Sequence, residues 1–144
     1  MITGPMDCVR LFVERGLNQG DLRVVDQVFS PHCIRYGITS GVAEMLGIES
    51  HKQQITALRT AFPDLKVALE ETIGAGHKVV CRLTFSGTQR GAWMGAAPTG
   101  RYANWGAIAV FHVVANKIQE CWIAEDVYGA LVQLRAVPDL LKAA

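Results

Sequence analysis

No apolar run in this chain of 144 residues comes near the ~20 residues that a membrane-spanning helix needs. The N-terminus, MITGPMDCVRLFVERG, has no charged segment leading into an apolar one, so no secretory signal is expected there. Charge of one sign is also lacking. Lys and Arg number 14 against 13 Asp and Glu, and a net charge of +1 offers no basic stripe for nucleic acid and no patch for a lipid surface. Cysteines are few and far apart, at 8, 33, 81 and 121, and no C-x-x-C occurs. That spacing argues against a disulfide framework and for reduced thiols in a cytoplasmic protein, with Cys81 and Cys121 as small strand hydrophobes. The four histidines, His32-Cys33 included, have no zinc spacing, so no metal is expected. The glycines at 87–100 lead into a strand pattern and not a helix, which excludes a phosphate loop, and no G-x-S-x-G elbow is present.

What is present is a folding chain. Half the residues are hydrophobic and 19% are charged, a balance that supports a buried core in a single domain over 1–144. In MDCVRLFVERGLNQG, Val9, Phe12, Val13 and Leu17 fall on one helical stripe that Gly20 stops. Asp21 is placed to cap a second helix, DLRVVDQVFS, which Pro31 breaks; CIRYGI then reads as a short strand. A third helix is expected from Val42 to Phe62, with Ile48, His51, Ile55, Leu58 and Phe62 on one face, so His51 is the polar member of an apolar stripe.

After Pro63 the period changes to two. LKVALEETIGA, KVVCRLTFSGT, YANWGAIAVFHVVAN and KIQECWIAE read as successive antiparallel strands, and VYGALVQLRAVPDLL as a closing helix and tail. Helices followed by a run of strands define an α+β fold: N-terminal helices packed on a strongly curved antiparallel sheet, with an apolar cavity beneath them. Alternating apolar positions such as Val67 and Leu69 are expected on the outer sheet face and point to a homodimer or higher homo-oligomer.

Candidate functional residues emerge from this layout. Asp126 ends the last strand on an acidic pair, and alternation from Ile118 through Trp122 and Ala124 sets it on the apolar face at the cavity rim. There it would act as an acid/base, or it would cap the helix beginning at Val127. No capping-box partner stands at Gly129. His112 lies mid-strand among apolar neighbours, as a core or solvent-facing histidine, or as a group that orients a substrate oxygen or holds the carboxylate. His51 would bind a substrate carbonyl from the helical roof, or be a core histidine bonded to backbone, and Tyr36 near the open side would offer a phenol hydrogen bond or serve structure alone. Trp122, with Trp93, Trp105 and Met94, would suit a flat polycyclic ligand. Arg82 shares a face with Thr84 and Ser86, a solvent or dimer face, or with an Asp an epoxide-hydrolase-like pair.

Three segments carry a family likeness: AFPDL at 61–65, GT-x-x-G-x-x-x-G-x-x-P-T-G at 87–100, and KI-x-E-x-W-x-x-x-D at 117–126 followed by Gln133-Leu134. In this order, across Met6 to Pro138, they resemble the SnoaL-like polyketide cyclases of the NTF2-like superfamily of cone-shaped α+β barrels. The resemblance implies an intramolecular aldol ring closure of a polycyclic polyketide ester in antibiotic biosynthesis, without metal or cofactor. Asp126 matches the family's proposed acid/base, and His112 its assisting histidine. Many relatives carry His after the GT of the loop where this chain has Gln89, so its substrate is expected to differ. The superfamily also contains isomerases, hydrolases and plain small-molecule-binding modules, and these remain the alternative readings.

Overall fold

A computed structural model describes residues 2–37 and 43–141. Helix α1 (Pro5–Leu11) runs on into a π-helical stretch at Phe12–Leu17, and α2 spans Arg23–Val28. Val9, Val13, Leu17, Val25 and Val28 from these segments are buried, so the apolar stripes seal the helices onto the sheet. Strand β1 (Phe29–Gly37) is longer than expected and takes up Pro31, with the register to its neighbour breaking between Phe29 and Ile34.

The third helix starts later than its sequence pattern. Ala43–Leu46 form strand β2, antiparallel to β1, and α3 is Gly47–Ala61; Val42 lies outside the described residues. Edge pairing with β1 overrides the helical preference of Ala43, Glu44, Met45 and Leu46. Strands β3 (Lys66–Ala75), β4 (Lys78–Thr88), β5 (Tyr102–Val114) and β6 (Lys117–Glu125) come next, and then α4 (Val127–Gln133).

The six strands lie in the order β2-β1-β6-β5-β4-β3, all neighbours antiparallel except the parallel pair β1–β6. The sheet curls without closing, since β2 and β3 remain as edges. Its inner face carries Val79, Cys81, Leu83 and Phe85 of β4 and Ala103, Trp105, Ala107, Ala109, Phe111 and Val113 of β5, all buried against the helices. Val67 is buried in this core too, and Leu69 packs against it, so these two belong to the inner face and not to the outer one.

A bulge near the start of β6 sets which of its side chains face the interior. Val113 pairs with Ile118 and His112 with Glu120, so β6 takes two steps where β5 takes one and Gln119 is left over. Such a bulge turns every later side chain to the opposite face. Ile118 points inward before it; after it Cys121, Ile123 and Glu125 pair with the inward Phe111, Ala109 and Ala107.

Candidate active site

An apolar pocket lies between the inner sheet face and the helical roof, walled by Phe29, Phe85, Trp93, Phe111, Leu58 and Ile123 among others. Its free volume is about 70 Å³, room for about two waters, against the ~300 Å³ or more of a typical ligand pocket. A larger occupant therefore displaces wall side chains, and Met45 and Met94 at the lining are the adaptable ones.

The charged residues of the lining are Arg35 and Glu125, and the described residues show no ion pair between them. Glu125 is inward because of the Gln119 bulge, and its Oε2 accepts a 2.6 Å hydrogen bond from the Trp105 Nε1–H. Trp105 is buried and stacked on Phe85, so this donor is fixed. Arg35 faces inward opposite Cys121. Its Nε is buried without a hydrogen-bond partner, although Glu44 Oε2 stands 3.5 Å away.

His51 is 4% exposed and sits where the helical stripe put it, on the pocket. Its Nδ1 lies 2.8 Å from the Gly47 carbonyl oxygen, which only accepts, so Nδ1 carries the proton and Nε2 is left as an acceptor. Nε2 is buried and unpartnered. Burial is the main cause holding this imidazole below its ordinary pKa, and the Arg35 charge adds a smaller push in the same direction. His51 is thus a neutral acceptor at pH 7.

Asp126 is elsewhere. It is exposed at the N-cap of α4, and its Oδ1 accepts from the Gly129 N–H at 2.9 Å. A Cβ at position 129 would require that carboxylate to shift. The expected alternation from Ile118 to Asp126 fails because the bulge intervenes, and Asp126 is not among the pocket residues.

His112, Tyr36 and Trp122 come together on the outer face. His112 Nδ1 is 3.2 Å from Glu120 Oε1, and the Tyr36 and Trp122 rings stack at 5.5 Å. Desolvation and then the Glu120 charge push the Tyr36 phenol up. Trp122 also adjoins the pocket wall, while the Lys78 ammonium lies 4.7 Å over its ring. Arg82 is on the outer face, 3.6 Å from Glu71. Among the described residues no group of His, Cys, Asp or Glu is arranged to hold a metal ion, and no helix is long and apolar enough to cross a membrane.

The motif segments prove to be joints. Asp64 of AFPDL accepts from the Thr88 N–H at 2.7 Å and from its hydroxyl at 2.9 Å, tying α3's exit to the GT of the loop. Gln89 is fully buried: its amide donates to the Gly91 and Ala96 carbonyls, and its oxygen accepts from the Thr99 N–H and hydroxyl. The residue that departs from the family pattern therefore pins the loop that carries Trp93 and Met94. Glu125 and Arg35 were both missed from sequence, the first because the inward parity of Cys121, Ile123 and Glu125 exists only through the bulge at Gln119.

The SnoaL-like polyketide cyclase family model matches residues 7–134, and the chain belongs to that family. The structure of TsrD from Streptomyces laurentii is similar, with 28% identity and a TM-score of 0.80 over 92% of this chain and 95% of that one. A proposed SnoaL-like polyketide cyclase from Jannaschia is 22% identical, with a TM-score of 0.82 over 93% of each chain. AclR from Streptomyces galilaeus, a proposed hydroxylase, is 24% identical, with a TM-score of 0.77 over 94% of this chain and 100% of that one. The two latter likenesses bear on the fold, which is NTF2-like. No curated protein matches the sequence.

Proposed function

We propose that this protein closes a ring in an apolar polyketide-derived carbonyl compound by an intramolecular aldol reaction, using its own side chains for proton transfer and no cofactor. Family membership supports cyclase chemistry. The observation that carries the reading is a single carboxylate, Glu125, set on an apolar pocket wall and aimed by the Trp105 N–H. The carboxylate takes a proton from the carbon between two carbonyls. The enolate carbon attacks the second carbonyl, and the glutamic acid returns the proton to the new alkoxide, so the enzyme ends as it began. His51 Nε2 accepts a hydrogen bond from a substrate hydroxyl and fixes its orientation.

Asp126 with His112, the pair matched by family resemblance, is the competing assignment. A direct contest is the rate of ring closure on a polyketide precursor, in acid and ester form, by Glu125→Gln and Asp126→Asn. Loss of an acid/base group costs about 10²–10⁴-fold. The proposal expects that loss in Glu125→Gln; full activity there, with the loss in Asp126→Asn, would transfer the role to Asp126. The likeness to a proposed hydroxylase sets a second chemistry on this scaffold beside it, and product mass separates the two: no mass change for the aldol ring closure, added oxygen for hydroxylation.

We also propose that the outer sheet face joins two copies. Ile73, Val80, Val110, Trp122 and Tyr36 pair in one cross-strand row over five strands, with Ile73 57% and Val80 37% exposed. Light scattering at micromolar concentration is expected to give twice the monomer mass, and Val80→Glu to halve it.

A further inference from the structure

Among the described residues, two buried side-chain polar atoms lack a hydrogen-bond partner, Arg35 Nε and His51 Nε2, and both residues line the same pocket. Native structures seldom leave such atoms unmet, so their concentration in one cavity points to a ligand that meets them. Their chemistry is complementary. Arg35 offers only donors and a positive charge; His51 Nε2, with the proton on Nδ1, offers only an acceptor. A guanidinium on an apolar wall suits a carboxylate, which it engages through charge-assisted and often paired hydrogen bonds. The neighbouring Nε2 suits a hydroxyl. Around them the lining is aromatic and aliphatic, with Phe29, Phe85, Phe111 and Trp93.

Glu44 does not satisfy Arg35. The two form an ion pair at 3.5 Å, but the Glu44 carboxylate is half exposed and makes no hydrogen bond to Nε, so a bound carboxylate competes with it for the guanidinium. Glu125 does not either: on β6 it lies four residues beyond Cys121, the partner of Arg35, about 13 Å along the strand. Cation and carboxylate therefore stem from backbone positions well separated along the sheet, and no ion pair joins them among the described residues.

We propose that the substrate is an aromatic hydroxy acid bound as its free carboxylate, with Arg35 taking the carboxylate and His51 the adjacent hydroxyl. This rests on reading the pocket as the substrate site, and it replaces the neutral ester implied by the family likeness with an anion. Arg35 here determines specificity and performs no proton transfer.

The test uses the full chain and titrates 3-hydroxy-2-naphthoate, its methyl ester and 2-naphthoate by tryptophan fluorescence quenching, in the wild type and in Arg35→Met, Arg35→Lys and Glu44→Gln. The wild type is expected to bind the acid about ten-fold or more tighter than the ester. Arg35→Met should erase that preference and leave ester affinity within about two-fold, whereas Arg35→Lys keeps part of it. Glu44→Gln, which removes a competing carboxylate, should tighten the acid alone by a few-fold. Removing the hydroxyl in 2-naphthoate should weaken binding by about five-fold. Equal binding of acid and ester in the wild type, or a preference that survives Arg35→Met, overturns the proposal while leaving Glu125 chemistry intact. Should Arg35→Met fail to fold, unchanged acid affinity in Glu44→Gln overturns it. Failure of all three probes to bind overturns the pocket reading together with it.

Discussion

Replacing Asp126 by Ala and, separately, by Asn distinguishes a capping carboxylate from a reacting one. The Asp126 side chain is exposed and makes one hydrogen bond, from the Gly129 N–H at the start of α4. Asn caps a helix as well as Asp does, whereas Ala leaves that N–H without a partner at a cost of about 1 kcal/mol. For a domain of this size the cost lowers Tm by about 3 °C. The damage stays local: α4 holds the sheet through Ala130 and Leu134, both fully buried, and through Gln133 bonded to the Asn104 backbone, none of which lines the pocket. Thermal denaturation followed by circular dichroism, with ring-closure rates on the same samples, reads both effects. The expected pattern is an Asn variant equal to wild type in Tm and rate, and an Ala variant about 3 °C lower with its rate retained below the transition. An Asn variant that keeps its Tm and loses its rate would refute the reasoning, because only chemistry at the carboxylate produces that split.

Three further outcomes can be checked. Burial holds the His51 pKa below its unfolded value, so its neutral form contributes stability above about pH 6.5 that is lost as pH falls through the lowered folded value; urea midpoints from pH 7 to 5 should fall less steeply in His51→Gln, and parallel curves would contradict this. Desolvation pushes the Cys8 and Cys81 thiols up to about 11 and Cys121 up to about 12, so Ellman's reagent at pH 7.5 should leave all four buried thiols unreacted until urea is added. Met94, with φ 50° at the tight turn where Trp93 bridges Ala96, sits in the left-handed region without being glycine, and Met94→Gly should raise Tm by a few degrees, about 1 kcal/mol; no rise would mean that its side-chain contacts offset the strain.

The sheet was legible because period-two alternation is a local property. KVVCRLTFSGT and KIQECWIAE coincide with β4 and β6 end to end, and the β5 pattern exceeds the strand by two residues, Ala115 and Asn116, which form the turn. Long-range partners decide what local pattern cannot. AEML became an edge strand through pairing with β1, and Pro31 was absorbed where a break was expected. The motif residues Asp64, Thr88 and Gln89 were visible as a spacing, yet their role as joints depends on contacts between segments 10 to 24 positions apart.

The candidate site was legible for His51, whose helical spacing places it directly, and illegible for the carboxylate, for one reason. From Ile118 onward, strict alternation predicts that Trp122, Ala124 and Asp126 face the core; one extra residue at Gln119 hands that face to Cys121, Ile123 and Glu125. Nothing local in KIQECWIAED marks Gln119 as unpaired, because the bulge exists only relative to β5. Its effect on the site is complete nonetheless. With the bulge, the strand ends on an inward Glu125 held by Trp105 and an outward Asp126 free to cap α4. Without it, the two adjacent acids would exchange tasks, leaving Glu125 in solvent and Asp126 in the pocket. The doublet Glu125-Asp126 therefore puts one carboxylate on the pocket wall and its neighbour on a helix cap, and the bulge decides which is which.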